Sequence, residues 1–171
     1  MWSAGASVQL SIVALLAVAL LLSCCGHSPV LRPRYAPDQT AELQGWRITV
    51  HGLTALPADP LRQPTPGHQL YAVELTLENT DQRIRYVMPE RQMAILDDSG
   101  RSFAPDYIAE VVAARTQGWT VPAGEIKSGQ KAYGAASYQI PDSSRELRWV
   151  FCAGLLPWAP SVVFELGEIR P

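Results

Sequence analysis

Residues 69 to 106, QLYAVELTLENTDQRIRYVMPERQMAILDDSGRSFAPD, carry apolar and polar side chains in alternation, cut by turn-forming residues every few positions. Successive side chains of a strand point to opposite faces, so a period of two marks half-buried β-structure and excludes a helical bundle. Tyr71, Val73, Leu75 and Leu77 share one face, and Ala72, Glu74, Thr76 and Glu78 the other. Asn79-Thr80-Asp81-Gln82 then supplies turn chemistry. Ile84, Tyr86 and Met88 are offset from Arg83, Arg85 and Val87 until Pro89 breaks the strand. QMAILD (92–97) is a shorter, more apolar strand, and Asp97-Asp98-Ser99-Gly100 turns the chain into RSFAPD.

The pattern continues on both sides. In QGWRITVHG (44–52), Trp46, Ile48 and Val50 alternate with Arg47, Thr49 and His51. Residues 53–68 hold Pro57, Pro60, Pro64 and Pro66, and each proline removes a ladder donor, so a loop is expected there. In YIAEVVAAR (107–115), Ile108, Val111, Val112 and Arg115 fall at helical spacing and predict one or two turns crossing between sheets. Ala132, Gly134, Ala136, Tyr138 and Ile140 then share a face, Leu147, Trp149 and Phe151 point inward, and SVVFELGEI (161–169) is the last strand. About eight short strands with regular turn signals predict an all-β sandwich or barrel with one short helical crossover. Hydrophobic residues make up 47% of the chain, enough for a core. A formal charge of −2 and no Lys/Arg run disfavour a nucleic-acid partner.

Residues 1–23 contain no charged side chain and are almost wholly apolar from Val8 to Leu22. The run leads into Leu21-Leu22-Ser23-Cys24, which resembles the bacterial lipobox. That resemblance implies cleavage between Ser23 and Cys24, a diacylglycerol thioether on Cys24 and acylation of the new amino terminus. The usual basic start of such a signal is missing. An uncleaved transmembrane helix is the alternative, since about 20 apolar residues suffice to span a bilayer. Either reading tethers the rest of the chain outside the cytoplasm. The sequence thus divides into a lipoprotein signal at 1–23, a lipidated Cys24 with a flexible linker to 43, and a domain over 44–171. With Cys24 lipidated, Cys25 and Cys152 remain, and Cys152 reads as a small buried hydrophobe.

Val73 to Asn79, Leu96 to Asp106 (Leu-Asp-x-x-Gly-Arg-x-Phe-x-Pro-Asp), Pro122 to Gly129 (Pro-x-Gly-x-x-x-x-Gly) and Tyr138 to Pro141 follow in an order that resembles a domain-of-unknown-function family found on bacterial lipoproteins. The resemblance covers roughly residues 44 to 168. It implies an immunoglobulin-like antiparallel sandwich, similar in fold to a mycobacterial secreted immunoprotective antigen, and brings no catalytic residues with it.

Asp97, Asp98 and Asp106, with Glu110, place carboxylates near one turn, and clustered oxygens suit Ca²⁺. Turn formation explains the same residues. Met88, Met93, His51 and His68 have the soft and imidazole donors that copper takes, yet the two Met sit where core residues belong. No G-x-S-x-G or other nucleophile–base spacing marks a hydrolase. Trp119 in GWTVP, and Trp158 with Leu155 and Leu156 in LLPWAP, lie in expected loops, where aromatics either anchor partners or plug the ends of the sandwich. The expected function is therefore a membrane-tethered envelope module that binds a protein partner, with no enzymatic activity and no cofactor. Small-ligand or metal (Ca or Cu) binding is the alternative, followed by a hydrolase whose constellation is assembled only in space.

Overall fold

The structure, a computed structural model, describes residues 33–57, 59–60, 63–156 and 158–168 of the 171. The apolar segment 1–23, the lipidation candidate Cys24 and Cys25 lie outside the described residues. The strands all belong to one unit, Arg32–Leu155 with Ala159–Pro171; Leu156 and Trp158 fall outside that unit.

Eleven strands are described: β1 (Arg34–Tyr35), β2 (Thr40–Leu43), β3 (Trp46–Ala55), β4 (His68–Asn79), β5 (Arg85–Val87), β6 (Met93–Leu96), β7 (Ser102–Phe103), β8 (Gly124–Ile126), β9 (Lys131–Pro141), β10 (Glu146–Cys152) and β11 (Ser161–Glu168). Two helices join them, α1 (Pro89–Gln92) and α2 (Tyr107–Gln117). One sheet runs β1-β11-β10-β6-β7, the second β2-β3-β4-β9, and β5 pairs with β8. The ladders are antiparallel except β1 on β11. The fold is an all-β sandwich, as the alternation predicts.

The alternating apolar residues build the core between the sheets. Ile48, Val50, Val73, Leu75, Leu77 and Tyr138 of the second sheet face Ile95, Leu147, Trp149, Phe151 and Phe164 of the first. Burial of such side chains stabilises a fold by about 1.5–3 kcal/mol each. The Trp149 Nε1–H donates to the Tyr138 hydroxyl at 2.7 Å, so a buried hydrogen bond ties β10 to β9 across the core. Trp149 also packs on Phe151 and Phe164 with centroids 6.0 Å away in each case.

Three local features depart from the sequence expectation. Residues 34–43, assigned from the sequence to the linker, supply β1 and β2. Gln44 and Gly45 both have positive φ, 45° and 79°, which makes the two-residue turn whose twist suits a β2–β3 hairpin. Pro89 does not only stop a strand: at the first position of α1 its missing N–H costs nothing, so a second, one-turn helix starts there.

The third departure is α2, a helix of 11 residues with the Asp106 side chain accepting from the Ala109 N–H at 3.0 Å and Gly118 closing it in the left-handed region. It lies in the crossover from β7 of the first sheet to β9 of the second, as expected, but runs to about three turns and packs on the outer face of the second sheet. Ala109, Val112 and Ala113 pack there against Leu56, Leu70, Ala72 and Ala135, a small second core.

Asn79, at the end of β4, is fully buried and organises the end of the sandwich. Its Nδ2 donates to the carbonyls of Arg83 (2.7 Å) and Ile126 (2.8 Å), and its Oδ1 accepts from the Asp81 N–H at 2.9 Å. Asn79→Ala leaves both carbonyls without that donor and should cost about 2–3 kcal/mol in urea unfolding. Hydrogen exchange should rise first along β5 and β8. A uniform rise over the whole sheet would show that Asn79 does not hold this ladder in particular.

Candidate functional site

The part of the second sheet that α2 leaves open carries a connected layer of polar and aromatic side chains. Arg47 on β3 pairs with Glu78 at 2.9 Å and Glu42 at 3.1 Å, and Lys131 reaches Glu78 at 3.5 Å. The hydrogen bond from Arg47 is the main reason the Glu78 carboxyl lies below its ordinary range. The Tyr133 hydroxyl donates to Glu74 at 2.7 Å. That bond, helped by burial and by the carboxylate charge, raises the Tyr133 phenol above its usual pKa and keeps it a donor.

Beside Tyr133 sits His51, its ring centroid 5.9 Å away. The ladder register shifts between Val50 and Gly52, so His51 is the extra residue of a β-bulge, a device that re-aims a side chain. Its Nδ1 stands 3.3 Å from Asp38 Oδ1 and its Nε2 2.9 Å from Thr76 Oγ1. A carboxylate only accepts, so Nδ1 carries a proton toward Asp38, and in the neutral ring the Thr76 hydroxyl donates to Nε2. Asp38 is held in the left-handed region, at φ 64°, with its N–H on the Val50 carbonyl at 2.7 Å. A bulge and a left-handed aspartate, neither legible in the alternation, thus meet at one exposed cluster.

Asp38–His51–Thr76 has the contact order of an acid–base–nucleophile relay. The remaining requirement of acyl transfer is a pair of donors for the developing oxyanion, usually the largest catalytic contribution. Thr76 lies on β4, which is laddered on one side to Thr49 of β3 and on the other to Tyr133 of β9. The backbone donors around it are spent in the sheet.

The carboxylates proposed from the sequence for Ca²⁺ are used otherwise. Asp97 is fully buried and accepts from the Ser99 hydroxyl (2.7 Å), the Arg101 N–H (2.9 Å), Arg101 Nε (2.7 Å) and the Ser144 hydroxyl (3.1 Å). Asp98 is exposed, 3.3 Å from the Arg145 N–H, and Asp106 caps α2. Among the described residues no group of three or more His, Cys, Asp or Glu is placed to hold a metal ion. The copper candidates are dispersed: Met93 is in the core, His51 is in the cluster above, and His68 Nδ1 bonds the Pro66 carbonyl at 3.2 Å. Met88, expected to pack inside, is exposed.

Trp119 is half-buried against the α2 cluster on the outer face of the second sheet, not at an open end of the sandwich. Leu155, Leu156 and Trp158 are exposed, Trp158 by 75%. The Pro-rich segment is tied down where it is described: Leu56 is buried, Asp59 meets Arg115 Nε at 3.4 Å, and the Thr65 N–H bonds the Gln139 side chain. Cys152 is half-buried at the end of β10. Among the described residues no helix is long and apolar enough to cross a membrane.

A family model described as a domain of unknown function (DUF4352) matches residues 35–156. Among curated proteins nothing matches the sequence. Three solved structures share the fold. The yjhA protein of Bacillus subtilis aligns at 14% identity and a TM-score of 0.58, over 77% of this chain and 98% of its own. A conserved hypothetical protein of Bacillus anthracis aligns at 16% and 0.53, over 80% and 95%. A Bacillus subtilis protein described as a "putative lipoprotein" aligns at 11% and 0.54, over 78% of this chain and 38% of its own.

Proposed function

The chain belongs to the DUF4352 family, a family of unknown function, and from that premise we propose that it is an exported, membrane-tethered lipoprotein whose sandwich is a protein-interaction module. The tether rests on the lipobox-like run ending in Cys24 and is supported by the description of one structural neighbour as a lipoprotein. A likeness in fold to the mycobacterial secreted antigen is part of the same proposal: a small sandwich displayed outside the cytoplasm.

The observation that carries the binding role is the face around Tyr133 and His51. Both aromatics are exposed at the surface, and each is fixed by a hydrogen bond to a neighbouring strand side chain. Tyrosine offers a large, rigid, amphipathic contact at low entropic cost. Pre-fixed side chains on a laddered sheet lose little freedom on binding, which is where preorganised interfaces gain affinity.

The test is crosslinking of the tethered protein in cells, with Tyr133→Ala/His51→Ala beside the native chain. The native form should capture one envelope protein reproducibly and the double variant should lose it, while the variant's unfolding midpoint stays within about 0.5 kcal/mol of native. Equal capture by both forms would remove this face as the interface. A second reading, acyl transfer at Thr76, is favoured by the His51–Thr76 contact alone. It predicts cleavage of an activated ester such as p-nitrophenyl acetate that His51→Ala abolishes. We expect a rate indistinguishable between the two proteins.

A further inference from the structure

The sandwich has a distinct entry end. β10 and β11 are antiparallel, so Ser161 lies beside Cys152. β1 runs parallel to β11 with Arg34 opposite Val163, and the Val163 N–H donates to the Pro33 carbonyl at 3.3 Å. The chain therefore enters the sandwich where β10 stops. The same end gathers β5 and α1: the Ala153 carbonyl accepts from Trp46 Nε1 (3.4 Å) and Arg85 Nη2 (3.5 Å), and the Cys152 carbonyl from Gln92 Nε2 (3.2 Å).

Four large apolar side chains are exposed at this end, and β5 explains why. Val87 is buried, and Arg85 turns inward with its guanidinium 5.1 Å over the Trp46 ring and bonded to the Gln44 carbonyl and Asp81. With 85 and 87 facing in, the alternation forces 84, 86 and 88 out. Ile84 is 52% exposed and Tyr86 55%, with Met88 and Leu155 about two-fifths exposed. An arginine inside and an isoleucine, a tyrosine and a methionine outside invert the usual arrangement. Scattered single apolar residues are normal on a surface; four gathered at one end of the sandwich point to a surface that is covered in use.

We propose that the entry end of the sandwich rests on the lipid surface, with Ile84, Tyr86, Met88 and Leu155 at the bilayer interface. This rests on the tethered reading above and adds an orientation to it. Eight residues separate Cys24 from Pro33, and at about 3.6 Å per residue they hold the entry end within roughly 30 Å of the anchor. The exposed apolar end is thus the end that the tether keeps close to lipid. A tyrosine whose ring is apolar and whose hydroxyl is bonded, here to Glu125 at 2.6 Å, suits the headgroup boundary.

The experiment uses the full lipidated chain reconstituted in phosphatidylcholine vesicles carrying a phospholipid with a diazirine near the headgroup. After photolysis, lipid adducts should map to residues 84–88 and 153–155 and be lacking at the opposite end, around 97–101 and 141–145. Ile84→Ser/Tyr86→Ser/Met88→Ser/Leu155→Ser, all exposed positions, should lose those adducts with an unchanged circular dichroism spectrum. If the chain does not float with the vesicles, the tethered reading itself fails. If it floats and adducts appear only within residues 1–32, the sandwich stands off the bilayer and the docking is overturned. Crosslinking of the same rim to a protein in cells, with no lipid adducts in vesicles, would overturn it in favour of a protein partner.

Discussion

Gly134→Ala is expected to destabilise the sandwich by about 3–5 kcal/mol, although it adds a single methyl group. A Cβ on Gly134 would lie 2.0 Å from the Thr120 carbonyl oxygen and 3.1 Å from Pro122 Cδ. The obstacle is main chain, so no rotamer change relieves it. The Thr120 carbonyl must move, and it accepts the Ala135 N–H at 3.1 Å. Moving it breaks that bond at a residue only 1% exposed. Overpacking contributes about 1–3 kcal/mol and an unsatisfied buried donor a similar amount. Gly52→Ala is the control: nothing lies within 4 Å of its Cβ and its φ is not in the left-handed region. It should be within about 1 kcal/mol of native. Thermal unfolding of both variants checks the pair. Equal melting temperatures would mean that residues 119–122 are free to shift and do not hold the β9 edge.

That contrast shows which information the sequence carries. The inward face of β4, Tyr71 to Leu77, and that of β10, Leu147 to Phe151, are legible because each strand's alternation is a local property that survives in the fold. The outward face of β4 and β9 is not. Ala72 and Ser137 alternate as solvent-facing residues should, yet both are fully buried beneath α2, and the Ser137 hydroxyl has no hydrogen-bond partner. The helical spacing at 107–115 announces the helix but not the surface it covers, because the covering is a tertiary event between small side chains. β1 was hidden for a related reason: two residues between prolines acquire strand geometry only through parallel pairing with β11, far away in the chain. At the candidate site His51 reads as one more polar member of an alternating strand. The bulge that turns it toward Thr76 and Asp38 depends on the register against β4, which no period reveals. β5 is the inverse case. Its alternation is correct, but Arg85 wins the inward place through the Trp46 ring and three oxygen acceptors, the Gln44 and Ala153 carbonyls and Asp81.

Asp97→Ala should cost about 3–5 kcal/mol at neutral pH, since hydrogen bonds to a charged group contribute about 1.5–3 kcal/mol each and several donors lose theirs at once, Ser144 among them at 1% exposure. Its carboxylate accepts from two hydroxyls, one N–H and one guanidinium, and Arg148 Nη2 and the Gly100 N–H bond its main-chain carbonyl as well, at 3.1 and 3.0 Å. Burial pushes the Asp97 pKa up, but the hydrogen bonds from Ser99, Arg101 and Ser144 outweigh it and bring it from 3.8 to about 2. A carboxyl lowered in the folded state contributes stability above its unfolded pKa and loses it as pH falls through the folded value. The gap between native and variant should therefore be constant from about pH 5 to 8 and narrow between about pH 4 and 2. Urea midpoints across that range measure it. A gap as wide at pH 2 as at pH 7 would show that packing, not charge, makes Asp97 matter. Added Ca²⁺ separates the metal reading in the same experiment: a cation bound only by the folded state raises the midpoint in proportion to its concentration. With every oxygen of Asp97 already taken by protein donors, a cation would have to displace Arg101 to enter, and the expected shift is nil.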